Sequence, residues 1–212
     1  MLGYWFPATT TISARARRRY GVESTTATTS IALTFDDGPH PEGTPAVLDA
    51  LARAGTPATF FLVGEQVEQR PELVARIVAA GHEIGVHCHR HRNLLRSTPH
   101  STRDDIAHAA ELIAEAAGRE PTLYRPPYGI LNAAALSYAR GRGWRTVLWS
   151  RWGKDWQRRA TGESIAKKVG RLRAGDVVLL HDADYYSAPG SWRNTVAALP
   201  LLAASELPFT TL

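Results

Sequence analysis

Seven short apolar runs alternate with six segments of helical character, and that alternation restricts the chain to one class of architecture. The runs are residues 31–35, 58–63, 83–87, 123–125, 145–149, 176–181 and 208–212. Turn residues bound them, as in Asp36-Asp37-Gly38-Pro39 and at Gly55. Helices are predicted over residues 44–54, 71–80, 102–117, 132–140, 163–172 and 192–204. The second has Pro71 in its first turn and Gly81 just past its end. The third has Thr102 as its cap, Asp104 and Asp105 at its positive end, and Gly118 as its stop. Strand–helix alternation implies parallel strands joined by right-handed crossovers, in an open sheet or a barrel. No repeat or linker interrupts it. Residues 30–212 therefore read as one domain, preceded by an irregular arm over residues 1–29 that is rich in Thr, Ser and Arg.

Composition removes several function classes. With 212 residues, 44% of them apolar, the chain can bury one sizeable core. The net charge of +5 owes much to Arg15, Arg17, Arg18 and Arg19, which read as a solvated arm. No nucleic-acid motif accompanies them, so no nucleic-acid partner is expected. A single cysteine, Cys88, excludes an intramolecular disulfide. The first thirty residues carry no secretory apolar stretch of roughly 7–15 residues, and no run approaches the ~18 of a membrane span. The expectation is a monomer with no membrane span, cytoplasmic as written or exported through a signal outside this sequence.

The chemistry sits where the strands end. The first run ends in Asp36-Asp37, the third in His87-Cys88-His89-Arg90-His91, the fourth in Arg125, and the sixth in His181-Asp182; Asp155-Trp156 follows the fifth. In barrels of this kind, catalytic groups occupy the C-terminal strand ends. His87 and His91 are four apart, a metal-ligand spacing. Two imidazoles and one carboxylate make a three-ligand set that leaves room for water and substrate, and Asp37 can supply the carboxylate. Adjacent aspartates are also good turn residues. At a strand end, however, neighbouring side chains point to different sides, so one can hold a metal while the other faces an attacking water.

Thr34-Phe35-Asp36-Asp37-Gly38-Pro39 resembles the signature of the polysaccharide deacetylases of carbohydrate esterase family 4, the NodB-homology domain. Four further blocks match that family in order: His87–His91, Arg125-Pro126-Pro127-Tyr128-Gly129, Asp155-Trp156 and Leu179-Leu180-His181-Asp182. The resemblance spans roughly residues 31–212. It implies an α/β fold, an irregular (β/α) barrel of about seven parallel strands. It also implies a carbohydrate substrate and one divalent metal ion, zinc first, then cobalt or nickel, held by Asp37, His87 and His91. Asp36 would be the general base, paired with Arg125 and kept ionised by it. His181 would be the general acid, oriented by Asp155. The backbone N–H of Tyr128 would donate to the oxyanion. Trp156, Leu179 and Pro127 would line the substrate pocket.

The sequence departs from the family pattern at Cys88, where a hydroxyl residue is usual, at Arg90, and at Trp152, near which a polar residue is usual. Cys88 could brace its loop weakly or touch the metal as a soft ligand. The turn-rich stretch from Asp184 to Trp192, with Tyr185 and Tyr186, suits sugar stacking at a rim or an ordinary surface loop. The resulting expectation is removal of N-acetyl groups from a GlcNAc-containing glycan such as a chitin oligomer or peptidoglycan. The alternatives are O-deacetylation of acetyl-xylan and an amidase acting on a small non-sugar substrate. A non-catalytic sugar-binding module would have lost Asp36 or His181, and both are present.

Overall fold

The computed structural model describes residues 6–11 and 13–212. Eight strands form a single sheet: β1 (Val22–Glu23), β2 (Ala32–Asp36), β3 (Ala58–Leu62), β4 (Glu83–Val86), β5 (Leu123–Tyr124), β6 (Arg145–Val147), β7 (Arg151–Trp152) and β8 (Val177–His181). Every pairing is parallel, in the order β1-β6-β5-β4-β3-β2-β8-β7. Eight helices accompany them: α1 (Ala14–Arg19), α2 (Gly43–Ala54), α3 (Gly64–Gln69), α4 (Pro71–Ala79), α5 (Pro99–Ala117), α6 (Ala133–Gly141), α7 (Gly162–Val169) and α8 (Ser191–Ala203).

Connectivity forces this sheet to curl. β6 and β7 lie six positions apart in the strand order, about 29 Å in a flat sheet. Only residues 148–150 join them, and that length of chain spans at most about 14 Å. The two ends must therefore approach each other, which produces the expected irregular (β/α) barrel. Side chains sort by the period of two. Leu33, Phe35 and Phe60 pack outward in the main core, and the rings of Phe35 and Phe60 stack at 5.1 Å. Ala32, Phe61, Leu123, Val147 and Val177 form a second, smaller cluster. By the same alternation, Thr34 and Asp36 share the side of β2 that carries Ala32.

Several boundaries differ from expectation. The stretch predicted as an irregular arm is ordered where described, its residues 1–5 and 12 lying outside the described residues. A short 3-10 turn covers Phe6–Thr11. α1 follows, capped by Ser13, whose hydroxyl accepts from the Ala16 N–H at 3.3 Å. β1 then pairs with β6, Val22 buried and Glu23 bonded to both Nε and Nη2 of Arg145. The predicted strand 208–212 reduces to one parallel bridge, Ile31 to Phe209, because β3 and β8 already occupy both edges of β2. α5 begins earlier than predicted. Thr98 and Ser101 form its capping box, and Thr102 lies buried within the first turn. α7 stops at Val169, where Gly170 takes a positive φ of 72°. α3 and β7 were not anticipated; both are too short to show a period. Among the described residues, no helix is long and apolar enough to cross a membrane.

Candidate active site

Strand ends build the floor of a cleft. Asp36 closes β2 and His181 closes β8, and the two stand opposite each other in register. Arg125, directly after β5, is fully buried and spends its guanidinium fork in four directions. Nη1 donates to Asp36 Oδ1 at 2.8 Å and to Thr34 Oγ1 at 2.7 Å. Nε and Nη2 donate to the carbonyls of Val147 and Leu148, each at 2.9 Å. The Phe61 ring lies 4.0 Å from the guanidinium carbon. Burial raises the Asp36 carboxyl above its ordinary value, against the pull of Arg125, His181 and His91. Arg125 is thus one of two opposed influences on that carboxyl, desolvation being the other.

Asp37, His87 and His91 come together from two strand ends. His91 Nε2 lies 3.3 Å and His87 Nε2 3.6 Å from Asp37 Oδ1. Among the described residues, that buried oxygen has no hydrogen-bond partner. His87 Nδ1 lies 2.7 Å from the Arg125 carbonyl. A carbonyl only accepts, so Nδ1 carries the proton and the Nε2 lone pair points at Asp37. Burial pulls both imidazoles down to about 3, leaving them neutral, as metal ligands must be. Burial pushes Asp37 up to about 7; His181 opposes the rise, while Asp36, Asp182 and Asp155 add to it. The three ligand atoms lie within 4.8 Å of one another. A buried carboxylate oxygen without a partner, flanked by two neutral imidazoles, fits a divalent cation.

His181 is a different kind of histidine. Its Nδ1 lies 3.0 Å from Asp155 Oδ1, and its backbone N–H donates to Asp155 Oδ2 at 2.7 Å. Thr195 donates to the same Oδ2 at 2.8 Å. His181 Nε2 faces the triad, 3.9 Å from Asp37 Oδ2. Burial alone would lower its pKa; Asp155, Asp37 and Asp36 outweigh burial and push it up to about 10. One cleft therefore holds two neutral imidazoles and one imidazolium.

Residues 23–147 match the family profile of polysaccharide deacetylases. The chain belongs to the polysaccharide deacetylase family. A chitooligosaccharide deacetylase of Bradyrhizobium sp. is 40% identical to it over 167 residues, covering 78% of this chain and 75% of the relative. A peptidoglycan-N-acetylglucosamine deacetylase of Bacillus cereus is 40% identical over 173 residues, covering 80% and 78%. The crystal structure of the Bc1960 peptidoglycan N-acetylglucosamine deacetylase superposes with a TM-score of 0.85 at 32% identity, over 94% of each chain. The deacetylase assignment and the barrel follow from these relatives together.

In this deacetylase, the cleft above the floor has a volume of about 280 Å³. Trp156, Leu179, Trp149, Trp152, Tyr128 and Tyr186 line it. The Trp156 ring meets His181 edge-on at 5.4 Å. Tyr128 is 53% exposed, and its N–H makes no hydrogen bond among the described residues. Pro127 is buried and is not among the residues that line the cleft. Asp182 turns away to accept from the Thr44 hydroxyl. Cys88 also faces away from Asp37, His87 and His91, its sulfur 3.5 Å from the Tyr124 hydroxyl. Burial holds that thiol well above its ordinary value, so it packs as a neutral group. Arg90 is exposed.

Four described non-glycine residues have positive φ: Asp37 (79°), Cys88 (65°), Tyr128 (59°) and Lys154 (54°). Each is a residue of the site or the immediate neighbour of one. Left-handed backbone costs an L-residue roughly 1–2 kcal/mol, and such strain collects at functional loops. Sequence reasoning quoted Thr34 only as a letter of the first block and did not find Thr195, because one hydroxyl in an ordinary stretch carries no signal. Tyr186 was visible only as part of an aromatic loop.

Proposed function

We propose that this chain hydrolyses N-acetyl groups from GlcNAc-containing glycans, as the names of its relatives say of them. The observation that carries the reading is the buried Asp36 carboxyl and the His181 imidazole in register at the ends of β2 and β8, beside the Asp37, His87 and His91 group. Asp37, His87 and His91 would hold one divalent ion, zinc first by its preference for imidazole and carboxylate, with cobalt or nickel as substitutes. Bound there, the ion would supply a Lewis acid for the acetyl carbonyl.

The remaining chemistry belongs to the chain. Asp36, with its raised pKa, takes a proton from the attacking water. Arg125 fixes the carboxylate in place and returns part of its charge stabilisation. The free N–H of Tyr128 donates to the developing oxyanion. The leaving amine needs a proton as the tetrahedral intermediate collapses, and His181 Nε2 gives it. Asp155 holds that imidazolium and points it. Trp156 and Leu179 enclose the acetyl methyl group and exclude water.

The test is acetate release from chito-oligosaccharides and from acetylated xylan, with and without chelator. Chelator-sensitive release from the chitin oligomers is expected. Release from the xylan alone would move the substrate to an O-acetyl ester, and full activity in metal-free protein would overturn the mechanism.

A further inference from the structure

The two histidines of the metal group are held in unlike ways. His87 is fixed by a hydrogen bond through its second nitrogen to the Arg125 carbonyl, and it is 2% exposed. No other described residue gives His91 such a bond: its Nδ1 is buried and has only the backbone of His91 itself beside it. It sits at the end of a loop whose Cys88 is already in a left-handed conformation. Ligating histidines depend on an outer contact to set their orientation, and losing that contact commonly weakens metal binding 10–100-fold. For His91 no hydrogen bond to another described residue does this.

The Tyr186 ring lies nearly flat on His91, with centroids 4.2 Å apart and an interplanar angle of 13°. Tyr128 meets the same imidazole edge-on at 4.5 Å and 62°. Tyr186 is itself held, because its hydroxyl donates to Glu65 Oε1. Glu65 belongs to the first turn of α3, and the same turn grips the metal loop: the Gly64 N–H donates to the Cys88 carbonyl at 2.9 Å and the Glu65 N–H to the His89 carbonyl at 3.0 Å. The start of α3 therefore fixes both the backbone of the ligand loop and the ring that covers its second histidine. The loop bearing Tyr186 is pinned in turn by Asp184, which accepts from the Gly190 N–H at 2.5 Å and pairs with His40 Nε2 at 3.2 Å.

We propose that Tyr186 is the positioning residue for His91, its stacked ring setting the ligand's orientation as the Arg125 carbonyl sets that of His87. The proposal rests on the metal assignment made above. Tyr186 follows the acid His181 by five residues, so one segment of chain both carries the proton donor and steadies a ligand on the opposite wall.

The test measures metal affinity rather than turnover. Zinc is competed away from the loaded full-length chain with a chromophoric chelator, and the absorption spectrum of the cobalt-substituted protein is recorded. Tyr186→Ala should raise the Kd for zinc by about tenfold or more and alter the cobalt spectrum. Tyr186→Phe keeps the stacked ring and loses only the Glu65 bond; it should stay within about threefold of wild type and keep the spectrum. If Tyr186→Ala does not fold, Tyr186→Leu replaces it, keeping apolar volume without a planar face. Wild-type affinity and spectrum in the Ala or Leu variant would overturn the proposal. So would a Phe variant as impaired as Ala, which would place the effect in the hydroxyl. A wild-type chain that holds no zinc in this assay would instead overturn the metal reading itself.

Discussion

The floor of the cleft and its rim are built to different standards. On the floor, Asp36, Asp37, His87, Arg125 and Asp155 are all 3% exposed or less; strand ends carry all but Asp155, which lies in the turn after β7. The rim is aromatic and open: Tyr128 is 53% exposed and Trp152 41%. Floor groups are tied to backbone atoms or to one another, as Arg125 is to two carbonyls and Asp155 to the His181 N–H. Rim groups touch mainly ring to ring: Trp152 lies 6.0 Å from Trp149 and 5.4 Å from Trp156. The floor holds the groups proposed to break the bond, and the exposed indole of Trp152 on the rim bears on what is presented to them.

That division is open to direct attack, starting with the largest effect. Asp37→Asn should abolish metal binding and, with it, hydrolysis of every substrate; metal content and acetate release check this together. Asp36→Asn should keep the metal but lose at least about a hundredfold in kcat, the usual scale of a general base. If Asp36→Asn loses the metal and Asp37→Asn keeps it, the two roles are reversed.

Arg125→Ala removes the partner of a buried carboxylate and leaves two carbonyls unbonded, so unfolding should become easier by about 3–5 kcal/mol in a denaturant titration. An unchanged midpoint would show that the floor is less constrained than described. Asp155→Asn acts on pH dependence. Asp155 helps raise the His181 imidazolium, so its loss lowers that pKa, and the acid deprotonates sooner as pH increases. The alkaline limb of the kcat profile should move to lower pH, with N-acetyl substrates affected more than an activated aryl acetate.

Trp152→Ala gives the smallest change. KM for a chitin oligomer should rise a few-fold, on the scale of about 1 kcal/mol for a ring contact, while hydrolysis of the aryl acetate stays unchanged. A collapse of kcat on both substrates would erase the distinction between rim and floor.

The sequence exposed the floor far better than the rim. Asp36-Asp37, His87 with His91, and His181 are recognisable because adjacency and spacing are local properties of the chain. Parallel strands then deliver them to one end of the barrel. What joins them is not local. Thr195 reaches Asp155 across 40 residues and Thr34 reaches Arg125 across 91, and no window contains both partners. Cys88 illustrates the same limit. Its neighbours His87 and His91 suggested a possible metal contact, yet its left-handed backbone turns the sulfur towards Tyr124. β7 has two residues, too few for any period, and it exists because β8 offers it an edge.

The seam at residues 148–150 ties the proposed base to the closure of the barrel. There the barrel's two ends meet, and the carbonyls of Val147 and Leu148 are fastened by the guanidinium that also holds Asp36. That guanidinium is one fastener of the seam, beside Ser150, which bonds Asp176 and Val177, and Arg151, which pairs with Asp176. A partial opening of the seam would release the base in the same event, well before the outer helices melt. Inactivation in mild denaturant should therefore precede loss of helical signal, and amides flanking the seam should exchange with solvent as activity disappears.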